Sequence, residues 1–326
     1  MDGLPGYYTE TAVSTCSRTL RNPIDCQGVG LHSGRTTRLA LLPAPAGSGI
    51  VFCRTDLGID IAARYDLVSD TRLCTKLASS EDPTATIGTV EHLMAALAAT
   101  GIDSLRIEVD GPELPIFDGS SAPFLFLIDC AGIVELSAPR EMIEIVKTVS
   151  VEENGAVARF EPLPAGRSWL GLDIAMSIDF EGTAIGQQSF NLRLSEQSFR
   201  SEVAEARTFV QAGEIAKLRA AGLARGGNMD NAIVVDGQQI LNPSGLRMAN
   251  EFVRHKALDA VGDLSLAGAT ILGRFVGSRS GHRMNNLLLR ALFADAQAWR
   301  PVTGFGAGRA FGSAAQMPLG MAASAA

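Results

Sequence analysis

Histidine is scarce in this 326-residue chain, occurring only as His32, His92, His255 and His282. The stretch RHKALDAVGDL places His255, Asp259 and Asp263 at every fourth position. Four residues carry a helix about 40° past a full turn, so the three side chains leave one face within about 80°. A neutral imidazole and a carboxylate one turn apart can reach a single metal ion. Zinc accepts that N/O mixture in a tetrahedral shell with a fourth position for water. The same spacing also suits a half-exposed helix with solvated charges, because HxxxD is short and common.

TVEHLMAAL supplies a second pair, Glu91 and His92. A carboxylate next to a ligand histidine can reach a water on the metal and act as its general base during attack on a carbonyl. Taken alone, Glu91 is equally a first-turn acid favoured by a helix dipole. His282 opens the last helix in RSGHRMNN. A helix N-terminus lowers an imidazole pKa and a neighbouring carboxylate raises it. Asp263 is the candidate partner that would keep His282 protonated, able to donate to a leaving amine or a developing oxyanion. A plain cap is the other reading of His282, and a surface turn residue is the simpler reading of His32 in GVGLHSG.

The elements that must position these residues read as α+β. Thr15 to Ala63 carries strands and turns, and TIGTVEHLMAALAATG a helix that Thr89 can cap and Gly101 ends. DSLRIEVDG alternates as a strand, and SSAPFLFLIDCAG reads as a helix ending at Gly132. After about residue 138 come strands around a turn at Glu153 to Gly155, then SWLGLDIAMSIDF as a further strand. AEARTFVQAGEIAKLRAAGLARGG reads as helical up to its glycines, NAIVVDG as a short strand, and ANEFVRHKALDAVGDLSLAG as a long helix. ATILGRFVG is a strand and HRMNNLLLRALFADAQ the last helix. No regular βαβ alternation occurs, so two α+β domains are expected, 1–137 carrying Glu91 and His92, and 138–305 carrying His255, Asp259, Asp263 and His282. Residues 306–326, rich in Gly, Ala and Ser, read as a disordered tail.

Composition narrows the function classes. The formal net charge of −7 disfavours nonspecific binding to nucleic acid or anionic lipid, so an anionic substrate would have to be met by local basic residues. No apolar run nears the roughly 18 residues of a membrane span. No basic patch and apolar core open the chain, so no stable membrane insertion is expected and the cytoplasm is the default location. The five cysteines form no CxxC pair and read as reduced thiols.

In order, GVGLHSG, SDTRLCT, TVEHLMAAL, DGPELPIFDGSSAPF, RTF, GGNMDNAIV, NEFVRHKALDAVGDL and SGHRMN resemble the UDP-3-O-acyl-N-acetylglucosamine deacetylase family, the zinc amidases of lipid A synthesis. The resemblance runs from about Thr15 to Ala310. It implies a two-domain α+β fold of repeated topology with the site between the domains. It implies Zn²⁺, with Fe²⁺ suited to the same ligands, on His92, His255 and Asp259. Glu91 would be the general base and His282 the acid or oxyanion-stabilising group, oriented by Asp263, while Thr208 of RTF would contact the oxyanion.

The implied reaction is attack of metal-activated water on the 2-acetamide carbonyl of the acylated UDP-N-acetylglucosamine, by a monomer. Lys256, Arg279 and Arg283 would meet the anionic substrate. Asp179 and Phe180 are offered as nucleotide contacts, with His32 as a further substrate contact. DGPELPIFDGSSAPF reads as structural turn chemistry. The chain departs from the family pattern at Arg72, at Gly182 and Thr183, and at Val210 and Gln211. A zinc amidase with another acylated substrate, or a binding module keeping the fold, are the other readings. The second predicts loss of a ligand or base, yet all six site residues are present.

Overall fold

The computed structural model describes residues 15–165, 169 and 171–303. The expected tail at 306–326 lies outside the described residues. Among the described residues, six α-helices carry the chain between its strands: α1 Glu91–Thr100, α2 Ala122–Ala131, α3 Glu196–Glu202, α4 Ala212–Ala220, α5 Glu251–Ser265 and α6 His282–Ala294.

Strand pairings fall into two sets that meet near residue 140. In the first, a five-stranded sheet runs in the order Ile24–Val29, Thr36–Pro43, Leu105–Val109, Ile50–Arg54, Ile59–Ala62. Only Ile50–Arg54 and Leu105–Val109 pair in parallel there. Leu105, Ile107 and Val109 face inward and Arg106 and Glu108 outward, the period of two that a half-covered strand requires. Cys16–Leu20 pairs antiparallel with Ile133–Pro139, tying the start of this set to its end.

The second set holds a three-stranded sheet, Phe209–Gln211, Ile233–Asp236 and Gln239–Ile240, and a seven-stranded sheet centred on Thr270–Ser278. That strand serves three neighbours: Thr270, Ile271 and Leu272 pair with Met142, Ile143 and Glu144, while its later residues lie between Ala156–Glu161 and Leu172–Phe180. Sheets packed with helices, with mostly antiparallel pairing and no regular βαβ alternation among the described residues, make the fold α+β, as the sequence patterns indicate.

Helices α1 and α5 pack together at the centre. In α1 every residue except Ala98 is buried, so the helix has no solvent face and no apolar stripe to read. Its four alanines, Ala95, Ala96, Ala98 and Ala99, keep it thin enough to be enclosed. Gly262 of α5 lies against the first turn of α1, where an added Cβ would strike the backbone carbonyl of Glu91. Backbone cannot swing aside as a side-chain tip can. Gly262→Ala should therefore lower unfolding stability by about 1–3 kcal/mol through overpacking, despite the roughly 1 kcal/mol that alanine gains in a helix. Chemical denaturation measures this, and an unchanged or raised stability would show that α1 can retreat.

Two local readings differ from the sequence expectation. Thr89 does not cap α1: it takes φ +57°, Val90 holds the cap position, and Thr89 Oγ1 donates instead to Glu113 at 3.1 Å. The expected helix over AEARTFVQAGEIAKLRAAGL begins only at Ala212. Phe209–Gln211 before it is a strand, parallel to Ile233–Asp236. The strands Gly186–Arg193 and Trp299–Thr303 and the helix α3 also join the fold without having been read from pattern.

Candidate metal centre and acid–base pair

α5 is buried along almost its whole length, including Glu251, His255, Asp259 and Asp263. Polar groups are costly to enclose unless partnered, so each of these needs a reason to be inside. Glu251 pairs with Arg207, its oxygens 2.8 and 3.1 Å from the guanidinium nitrogens. That pair anchors the segment of Ala206, Arg207 and Thr208 against the start of α5. From this segment the Ala206 carbonyl sits 2.9 Å from His255 Nδ1, which sets the tautomer and leaves the Nε2 lone pair facing Asp259.

His92, His255 and Asp259 converge from α1 and α5, and one ligand atom from each lies within 4.8 Å of the others. His255 Nε2 and His92 Nε2 stand 3.4 and 3.6 Å from Asp259 Oδ1, too far for good hydrogen bonds. Asp259 Oδ1 is buried without a hydrogen-bond partner, while Oδ2 accepts from Lys256 Nζ at 2.8 Å. Burial pushes the His255 imidazole down to about 3, so it is neutral at physiological pH. Burial would raise Asp259, but His255 and Lys256 hold its carboxyl well below the usual range. Neutral imidazole, ionised carboxylate and an orphaned buried oxygen between them are the donor set of a divalent-metal site.

Beside this trio stands a second group. Glu91, the first residue of α1, accepts the Thr75 N–H on Oε2 at 3.0 Å. Its Oε1 lies 3.8 Å from His282 Nε2. Burial raises the Glu91 pKa, opposed by His282 and His92. His282 begins α6, and its Nδ1 is 2.9 Å from Asp263 Oδ2. Burial alone would lower His282, but Asp263 and then Glu91 raise it to about 9. The Asp263 carboxylate thus outweighs burial at His282. Asp263 also accepts from Thr75 Oγ1 at 2.5 Å and from Asn285 Nδ2 at 2.8 Å.

A cleft of about 390 Å³ opens over both groups. Glu91, His92, Thr208, His255, Lys256, Asp259, Arg279, His282 and Arg283 all line it. Phe209, with Lys256 Nζ 5.6 Å from its ring centroid, forms an apolar part of the wall. Arg283 is already engaged by Glu153 at 2.5 and 2.8 Å. Phe180 stacks edge-on against Phe209, centroids 5.6 Å apart, behind the lining. Asp179 and His32 do not line the cleft. His32 has both ring nitrogens buried without hydrogen bonds, and its backbone N–H donates to Glu113 at 2.8 Å.

Sequence reasoning passed over Thr75, Asn285, Phe209, Glu113 and the Ala206 carbonyl. Thr75 and Asn285 stand within SDTRLCT and SGHRMN, the segments quoted for the resemblance, and that was the available signal. Glu113, placed among turn residues, accepts from the N–H groups of His32 and Ser33 and from Thr89, pinning the GVGLHSG turn beside α1. Cys53 and Cys74 are buried and Cys130 is exposed, with no disulfide among the described residues.

Fold and site together define an α+β protein with a buried His₂Asp candidate metal centre and a carboxylate–imidazole pair facing the same cleft. The family model described as UDP-3-O-acyl N-acetylglycosamine deacetylase (LpxC) matches residues 17–294. Proteins named UDP-3-O-acyl-N-acetylglucosamine deacetylase are similar over nearly the whole chain. The one from Anaeromyxobacter dehalogenans is 47% identical over 285 residues, 87% of this chain and 90% of that protein. Its counterpart from Phenylobacterium zucineum is 48% identical, over 86% and 94%. That from Stenotrophomonas maltophilia strain K279a is 46% identical, over 88% and 93%. The chain belongs to the UDP-3-O-acyl N-acetylglycosamine deacetylase family.

Proposed function

We propose that this protein hydrolyses the 2-acetamido group of a UDP-3-O-(hydroxyacyl)-N-acetylglucosamine to the free amine and acetate, a step of lipid A biosynthesis, as a zinc-dependent cytoplasmic monomer. The observation that carries this reading is the convergence of His92, His255 and Asp259 beside Glu91 and His282 in one cleft. Its residues would come from both parts of the chain, 1–137 giving Glu91 and His92 and 138–305 the rest.

His92, His255 and Asp259 would hold the ion, Zn²⁺ or Fe²⁺. When bound, it supplies Lewis acidity for activating water and polarising the acetamide carbonyl. Glu91 takes the proton of the attacking water. His282, charged through Asp263 and with Nε2 turned to Glu91 and the cleft, donates to the leaving amine or the developing oxyanion. Thr208, which also lines the cleft, would offer its hydroxyl to that oxyanion. Lys256 and Arg279, and Arg283 once it leaves Glu153, would bring positive charge to a diphosphate-bearing substrate, with Lys256 also neutralising Asp259. Phe180 and Asp179 would act on the nucleotide end, Phe180 through Phe209, and His32 would act through the turn that carries Leu31 into the lining.

The test is release of amine and acetate from the acylated UDP-sugar by chelated protein titrated with Zn²⁺ or Fe²⁺. Activity should be absent without metal and saturate at one ion per chain. Full activity after complete chelation, or none on this sugar with metal restored, would overturn the reading.

A further inference from the structure

Thr75 is 2% exposed and gives each of its polar groups to the acid–base machinery or to the helix that bears it. Its N–H donates to Glu91 Oε2 at 3.0 Å, and its hydroxyl donates to Asp263 Oδ1 at 2.5 Å. Its carbonyl accepts the Val90 N–H, just before α1, at 3.4 Å. An ionised carboxylate only accepts hydrogen bonds, so the direction at Asp263 is fixed, with the hydroxyl as donor. The backbone here is itself held: Leu73 takes φ +69°, and Lys76–Ala78, starting at the next residue, is the central strand of a three-stranded sheet.

We propose that Thr75 is the positioning residue of the acid–base pair, bracing both carboxylates at once and leaving Oε1 of Glu91 as the oxygen that handles the proton. The inference rests on the reaction assigned above. The peptide N–H occupies Oε2 and draws electron density from it, whereas Oε1 is turned to the cleft and to His282 Nε2, 3.8 Å away. Asp263 is held from three directions, by Thr75, Asn285 and His282, so its Oδ2 meets the imidazole in one orientation. Thr75 and Asp263 lie 188 residues apart, so this one residue, through its N–H and its hydroxyl, links the base on α1 to the carboxylate that holds the acid on α6. A displacement of about 1 Å at a reacting group can cost roughly 10²-fold in rate.

Thr75→Val removes the hydroxyl while keeping the β-branch and the N–H, and Thr75→Ser restores the hydroxyl. The valine variant should lose about 10- to 100-fold in kcat, with KM within about twofold and full metal content. The serine variant should recover to within about threefold of the parent. A second readout uses metal-free protein: the Nδ1–H resonance of His282, resolvable among four histidines, should shift or broaden in Thr75→Val and not in Thr75→Ser. Thr75→Ala takes the place of valine if that variant fails to fold.

Parent-like kcat and an unmoved His282 signal in the valine variant would overturn the proposal. So would equal losses in valine and serine that track lowered thermal stability alone. A parent protein inactive on the acylated sugar, with the His282 signal still answering to Thr75, would instead overturn the assigned reaction and with it the role of Oε1.

Discussion

Glu91→Gln is expected to keep its metal and lose about 10²- to 10⁴-fold in kcat, the range that general-base catalysis supplies. The substitution is nearly isosteric, and the amide oxygen can still accept the Thr75 N–H that now reaches Oε2. What it cannot do is take a proton at the oxygen facing His282. Glu91 also lies outside the His92, His255 and Asp259 cluster, so the ligand set is untouched. Metal stoichiometry by atomic spectroscopy and turnover on the acylated sugar settle the matter together. A variant that purifies without metal would make Glu91 a ligand, and one that turns over normally would remove it from the mechanism.

Asp263→Asn should show the second large effect, a loss of about 10²- to 10⁴-fold resembling the loss on blunting a histidine-orienting aspartate elsewhere, with a change in pH dependence. Asp263 accepts from Thr75, Asn285 and His282. Asparagine brings one acceptor and one NH₂ group, so at least one of these donors would face a donor. The sign at His282 follows from its causes: burial lowers its pKa, while Asp263 and Glu91 raise it to about 9. Protonated His282 therefore persists at neutral pH and is lost as pH rises through about 9, giving the rate a basic limb there. Removing the Asp263 charge leaves burial less opposed, so the limb should move to lower pH. A kcat–pH profile on both proteins tests this, and an unmoved limb would assign the proton donor elsewhere.

The most legible part of the site was the part written on single helices. The four-residue spacing of His255, Asp259 and Asp263 and the adjacency of Glu91 and His92 are local facts that survive folding unchanged. The pairing of His282 with Asp263 could be named as a possibility but not weighed. Helix terminus and carboxylate act in opposite directions, and only the 2.9 Å separation decides between them. Thr75 and the Ala206 carbonyl were out of reach because their importance lies in contacts 188 and 49 residues away.

The misread helix at Phe209 has a similar cause. Thr208, Phe209 and Val210 favour extended chain by type, and pairing with Ile233–Asp236 and the 2.9 Å bond from Thr208 N–H to the Gly119 carbonyl hold them there, so only the residues from Ala212 onward carry the helix. Thr89 went the same way: a good capping residue by type, it was claimed by Glu113 instead.

The enclosure of α1 on every side bears on how the chain can be cut. A fragment stopping near residue 140 would retain this helix but lose α5, baring to water the face of α1 that α5 covers. Such a piece would be expected to clump or to be degraded rather than to persist, because newly bared apolar surface of this kind seeks other chains. Neither half is thus a free-standing building block for engineering, and splitting the polypeptide would have to leave both central helices in the same piece.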